Sequence, residues 1–323
     1  MATFSSLPNE LLLLIFSEAA ADVSAGPIAT TVGLVCKSFH SLVEFHGIDV
    51  LYTFLREINS IRTFLDILLA REVAQKQIHS LLMTIGQSHE GFDENFASCE
   101  NVIHLMTEIL SNIDPSHLHT LFIYLPSCYH NGSESPMLNI PVPLPALTTL
   151  HLSNIIPAPP AHPPCLFLKL SHLSLSQLSW SDREDIPHVS QVLAPRSTQL
   201  KLTFRAPTGH CIYTLALQLD AYLRMKNPQE TKKVPNRIPL HVFPTHLAHI
   251  TVGFYIPGST LGRLATPLKT IKFLVTAAWG TRNSETNPVH ILPTVLEEEE
   301  GPQEERFVRD WMKLNVGEEN VVV

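Results

Sequence analysis

Seventeen histidines in a chain of 323 residues raise the question of a metal site first. The closest pairs are His117 with His119 and His246 with His249. In a strand the first pair would share a face, but a tetrahedral site needs four donors, and neither pair has a cysteine or carboxylate cluster beside it. These histidines read as surface or interface residues, with no metal expected. Cys36 is a conceivable nucleophile, yet it sits in an apolar stretch with Lys37 directed away, the setting of an inert small hydrophobe. The run Asp182, Arg183, Glu184, Asp185 reads as a polar loop after Trp180. The phosphate-loop, dinucleotide, nucleophile-elbow and zinc-protease patterns are all missing from the sequence. The residues therefore point away from catalysis, and no cofactor is expected.

Charge narrows the partners. A net charge of -8 argues against nucleic acid and anionic membranes, which call for a concentrated Lys/Arg surface, and only Lys232 and Lys233 are adjacent. The acidity gathers at Glu297 to Glu300 with Glu304 and Glu305, which reads as a solvated linker. The five cysteines, Cys36, Cys99, Cys128, Cys165 and Cys211, are odd in number and form no C-x-x-C pair. Such usage fits reduced thiols in an intracellular compartment, cytoplasmic or nuclear. The apolar run Leu11 to Phe16 has no basic residue before it, so it is not read as a secretory leader. No stretch has the 18 or more uncharged apolar residues of a spanning helix. The sequon Asn131-Gly132-Ser133 is then a chance match.

Hydrophobic residues at 45% against 16% charged imply extensive burial. The 25 prolines outnumber the 13 glycines and fall mostly between Pro115 and Pro302, which predicts short elements there and no bundle of long helices. At the N-terminus, Pro8 and Glu10 suit a helix start near Leu7. From Leu11 to Phe16 that helix is apolar on nearly every side, more than packing within its own domain requires. A second helix is predicted with Thr30 or Thr31 as cap and a stripe of Val32, Val35, Phe39 and Leu42.

Together, L-P-x-E-L-L-x-x-I-F followed by V-C-K-x-F-x-x-L resembles the F-box. The residues are Leu7, Pro8, Glu10, Leu11, Leu12, Ile15 and Phe16, then Val35, Cys36, Lys37, Phe39 and Leu42. The resemblance implies a small trio of helices that binds a Skp-type adaptor protein and, through it, a cullin scaffold in a ubiquitin ligase. It assigns the docking surface and its immediate support to Leu7, Pro8, Leu11, Leu12, Ile15, Phe16, Val35, Cys36 and Phe39. Two departures stand out. Phe39 occupies the place of the usual tryptophan, and the link between the halves, around Ala19 to Pro27, is longer by about one helical turn. The alternative is an apolar helical hairpin packed on the rest of the chain, which would leave no leucine or proline of the first helix uncovered.

Beyond the module, apolar spacing predicts one long or two short helices over Val50 to Leu69 and another between Ala97 and Ile113. From Gln77 a short pattern recurs as Ile78, Leu81, Met83; Leu118, Leu121, Ile123; Leu147, Leu150, Leu152; Leu170, Leu173, Leu175; Leu247, Ile250, Val252; and Leu268, Ile271, Phe273. Weaker members are Leu200, Leu202, Phe204 and Leu240, Val242. Where no unit is missing the spacing is on the order of 20 to 30 residues, and the pattern resembles leucine-rich repeats. Asn154 comes one place early for the asparagine of that repeat. The fold expected is α/β, an N-terminal helical F-box module followed by a leucine-rich-repeat-like α/β solenoid of short parallel strands. Its divisions are 1–47, the F-box-like module; 48–76, a helical linker; 77–296, the degenerate repeat domain; and 297–323, an acidic linker and C-terminal helix. In that helix Phe307, Trp311 and Leu314 lie one turn apart, and the charged break before it predicts a tethered or loosely docked element. The function expected is recruitment of an unidentified target protein to a ubiquitin ligase, without bond chemistry of its own. A scaffolding repeat protein that never meets the adaptor is the competing reading.

Overall fold

The computed structural model describes residues 7–21, 31–85, 99–126, 136–158, 167–178, 186–227, 241–279, 287–296 and 303–316. The sequon, the 182–185 run, the 297–300 run and most of the 19–27 link lie outside the described residues. The protein is α/β, and the strand pairings described below are parallel. Chain contacts divide it, within one strand, into a first unit, Met1–Phe122 with Pro302–Val323, and a second, Ile123–Gly301.

The first unit opens with α1 (Asn9–Ala21). The Pro8 carbonyl accepts from the Leu11 and Leu12 amides at 3.1 and 3.2 Å, so proline sits where its missing donor costs nothing. Next, α2 (Lys37–Phe45) is shorter than the apolar stripe suggests. Residues 32–35 form a turn instead, closed by the Val35 amide on the Val32 carbonyl at 3.1 Å, and Cys36 takes an extended conformation as the N-cap. Gly47 then turns the chain at φ 65°, where an added Cβ would come within 2.5 Å of the Gln75 carbonyl oxygen. Only glycine satisfies both the left-handed backbone and that approach.

Residues 48–76 are not a helical linker. They hold β1 (Tyr52–Leu55) and α3 (Ile58–Ala70), a strand-helix unit of the sheet. The helix cannot extend back through Glu57, which is extended at φ -130° and forms a capping box with Ser60. β2 (Ser80–Thr84) pairs with β1 from Tyr52↔Ser80 to Leu55↔Met83 and lies between β1 and β3 (Thr120–Tyr124). α4 (Cys99–Asn112) falls where the sequence predicts a helix, burying Val102, Met106, Ile109 and Leu110.

In the second unit, β4 (Met137–Leu138) pairs with β6 (Ile156–Pro157) as a small separate sheet. The larger set contains β5 (Thr149–Ser153), β7 (His172–Leu178), β8 (Gln199–Arg205), β9 (His249–Ile256) and β10 (Val289–Ile291), adjacent in that order. β11 (Val295–Leu296) also pairs with β9. The helices are α5 (Ile186–Leu193), α6 (Gly209–Lys226) and α7 (Leu261–Trp279). The repeating leucines align: Leu150, Leu173, Leu200 and Ile250 share one register row, and Leu152, Leu175, Leu202 and Val252 the next but one. All eight are buried.

Two expectations fail here. Leu268, Ile271 and Phe273 lie on α7 rather than on a strand, with Leu268 and Ile271 buried but Phe273 70% exposed. A triplet at i, i+3, i+5 carries two positions of a helical face, and so short a window does not separate the two periods. α6 and α7 are also long, at 18 and 19 residues. α6 holds no proline, while Pro267 lies inside α7 against Gly209, whose added Cβ would meet the proline ring at 3.1 Å. Of the weaker members, Leu200, Leu202 and Phe204 lie on β8. Val242 is in no strand, and Leu240 lies outside the described residues.

At the ends of β5, β7 and β8 stand Asn154, Gln177 and Ala206, all at positive φ. Asn154 is buried, and its side-chain amide donates to the Leu125 carbonyl at 2.7 Å. Between α6 and β9, the Tyr222 hydroxyl donates to the Leu247 carbonyl at 2.6 Å, and burial holds that phenol well above its usual pKa.

Candidate docking surface

The N-terminal helices are held together by a compact apolar core. Leu12, Phe16 and Ala20 of α1 meet Phe39 and Val43 of α2 and Ile48 beyond it, with Leu7, Leu13, Val32 and Leu42 partly buried around them. The Phe16 and Phe39 rings meet edge to face, centroids 5.2 Å apart. The turn after α2 is tied to the end of α3 by a two-pronged ion pair between Arg71 and Asp49, both mostly buried. Tyr52 packs against the same core, and its phenol is held above the ordinary range by burial and then by the Glu18 carboxylate.

This core uses only part of the apolar surface that the two helices carry. Pro8 is exposed, and Leu11, Leu14 and Ile15 are 47%, 59% and 40% exposed on α1. In the turn before α2, Leu34 and Val35 are exposed, as is Phe45 at the end of α2. Large apolar side chains scattered singly need no explanation, whereas Leu11, Leu14 and Ile15 lie at i, i+3 and i+4 on α1 and leave one side of that helix uncovered.

The nine residues singled out from the sequence therefore divide into two roles. Pro8, Leu11, Ile15, Val35 and Cys36 are exposed; Leu12, Phe16 and Phe39 are buried in the core, and Leu7 is half-buried. Val35 and Cys36 depart from expectation. They belong to a turn and a helix cap rather than to a buried stripe, so Cys36 is an exposed free thiol and not a packed hydrophobe. Leu14, Leu34 and Phe45 are exposed residues that the motif does not mark. Leu14 had a visible signal, since it sits in a run of leucines too wide for one helical face.

The other candidate groups do not converge. His119 stacks on His79, centroids 4.4 Å apart, and burial followed by the neighbouring His119 and His117 lowers the pKa of His79. His117 bonds Asp114 at 3.0 Å; against the opposing effect of burial, hydrogen bonds from Ser116 and His117 hold that carboxyl low. His246 lies in a turn and His249 begins β9. His151 is buried, its pKa pushed down to about 3 by burial and then by Lys201, and its Nε2 lies 2.7 Å from Ser176 Oγ. Among the described residues no three His, Cys, Asp or Glu side chains are grouped to hold a metal, and no helix is long and apolar enough to cross a membrane.

Comparison with models of known families, with curated proteins and with solved structures finds no match to this chain.

Proposed function

We propose that the chain is a non-catalytic, substrate-recruiting subunit of a cullin-based ubiquitin ligase, docking a Skp-type adaptor through α1 and the turn before α2. The observation that carries this reading is the exposed apolar stripe of Pro8, Leu11, Leu14 and Ile15 at the start of α1, with Leu34 and Val35 also exposed in the turn before α2. A hairpin whose only task was to pack on its own domain would bury these side chains. Phe16 and Phe39 support the face from behind, through the edge-to-face contact that sets the two helices together. What such a subunit contributes is proximity: held near a charged conjugating enzyme, a target lysine reacts at a high effective concentration.

For the body, the proposal extends to a leucine-rich-repeat-like arrangement that presents a surface to the target. Support comes from the parallel register of the leucine rows and from Asn154, which closes a strand end through a carbonyl some 29 residues earlier in the chain. Co-expression with a Skp-type adaptor, followed by purification on the adaptor's tag, tests the central claim. A stoichiometric complex is expected; an adaptor that elutes alone, beside a folded chain, rejects it.

A further inference from the structure

Strands β5, β7, β8, β9 and β10 follow one another in a single direction across the larger sheet. With right-handed crossovers, that order places α5, α6 and α7 on one face, the face of the buried leucine rows. The opposite face then receives no helix from these crossovers, although parallel sheets are ordinarily covered on both sides. Over the first halves of the strands it is open. His172 of β7, Gln199 and Lys201 of β8, His249 of β9 and His290 of β10 are exposed, and Ser174 is partly so. Farther along the strands it closes, where a Cβ on Gly253 would meet Thr203 at 3.3 Å and Leu292 at 3.4 Å.

Every side chain of this open patch can donate a hydrogen bond, and neighbours on adjacent strands stand about 4.8 Å apart. None is a carboxylate, and these five strands contain no Asp or Glu. The tight turns leading into β7, β8 and β9 carry Lys169, Arg196 and His246, each exposed and each three residues ahead of its strand. Lys169, Arg196 and Lys201 have no ion-pair partner among the described residues. After burial, the charge of Lys201 is the second cause that lowers the pKa of His151 on β5, so it is not neutralised within the sheet. Among the described residues of the second unit the only carboxylate side chain is Asp220, which is buried and accepts from Arg224 at 2.7 Å. In a chain of net charge -8, a sheet face and strand-start edge of this sign run against the whole.

We propose that this patch docks a short acidic segment of the target polypeptide, its Asp and Glu side chains received by Lys169, Arg196 and Lys201 and by the hydroxyl and imidazole donors between them. A short segment fits where nucleic acid does not. Four strands span roughly 15 Å, and a long polyanion would run past them onto the acidic remainder of the chain. The inference rests on reading the body as the part that meets the target, and no residue of the α1 face takes part.

The test is fluorescence anisotropy of the full chain, without adaptor, against a labelled peptide of four Glu-Ser repeats. The parent is expected to bind it, and more weakly as salt is raised. Lys169→Glu, Arg196→Glu and Lys201→Glu together should weaken binding at least about tenfold. If that variant loses the parent's unfolding transition, Lys169→Gln, Arg196→Gln and Lys201→Gln replace it, with a loss of at least about fivefold expected. Arg263→Glu, Lys269→Glu and Lys272→Glu, exposed on α7, change the net charge equally away from the patch and should stay within about twofold of the parent. No binding by the parent, or equal weakening by both sets, overturns the proposal. So does tighter binding of a labelled 12-nucleotide DNA single strand than of the peptide, which would make the patch a nucleic-acid site. Because no adaptor is present, failure here leaves the α1 docking claim standing, and failure of that claim leaves this result standing.

Discussion

Replacing Leu11, Leu14 and Ile15 together by alanine separates docking from folding. The three side chains are 47%, 59% and 40% exposed, so about half of the surface of each is available to a partner. Fully burying a leucine or isoleucine side chain is worth about 1.5–3 kcal/mol, so half of one contributes about 1 kcal/mol and the three together about 3 kcal/mol. A loss of that size weakens the adaptor complex roughly 100-fold. The fold should hardly notice, because exposed substitutions away from special features stay within about 0.5 kcal/mol and alanine is the best helix former. Calorimetric titration of the purified adaptor gives the affinity, and a thermal melt of each chain gives the control. Phe16→Ala is the internal contrast: it removes the ring that packs on Phe39 and should cost about 3–5 kcal/mol of stability in the module. If the triple variant binds within threefold of the parent while remaining folded, the partner does not use this face and the reasoning from exposure is wrong.

Gly47→Ala should destabilise the chain by at least about 2 kcal/mol, since it adds left-handed strain and a Cβ 2.5 Å from the Gln75 carbonyl oxygen; a denaturant midpoint equal to the parent's would refute this. His151 binds its proton only near pH 3 in the folded chain but near the ordinary histidine pKa when unfolded, so its contribution to stability is present above about pH 6.5 and lost progressively as pH falls toward 3. Urea unfolding should therefore weaken by up to about 1.4 kcal/mol per pH unit between pH 6 and 4, and His151→Gln should flatten that slope; an unchanged slope counts against the assignment. Ala206→Gly relieves a positive φ at the end of β8, and the offsetting entropy of the unfolded glycine should leave the melting temperature equal or slightly higher, whereas a clear drop would mean that the alanine methyl makes a contact the strain argument omits.

Leucine rows such as Leu150, Leu173 and Leu200 were legible in the sequence because a strand buried on one face imposes a period of two, and parallel stacking repeats it unit after unit. α4 was legible for the same kind of reason, its apolar residues keeping the 3.6 period without interruption. The excess of leucine on α1 was legible as well, because apolar residues on nearly every side of a helix exceed what packing within its own domain requires, and Leu11, Leu14 and Ile15 are exposed. What the sequence could not resolve is where pairing with a distant segment overrides local spacing. Leu51, Phe54, Leu55 and Ile58 fit a helix, and only β2, about 28 residues onward, draws Tyr52 to Leu55 into a strand. The same limit hid the docking of the C-terminal helix (Gln303–Val316), which buries Phe307 and Trp311 instead of being the loosely docked element expected from the charged residues before it. Glu304, Phe307 and Trp311 show an amphipathic stripe, but the groups that receive them, Arg56, Thr84, Phe122 and Ser80, lie about 180 to 250 residues earlier and carry no local mark of the task. A hydroxyl on a strand is equally at home facing water or an indole N–H, and the choice is made only when the tertiary fold brings the helix to it.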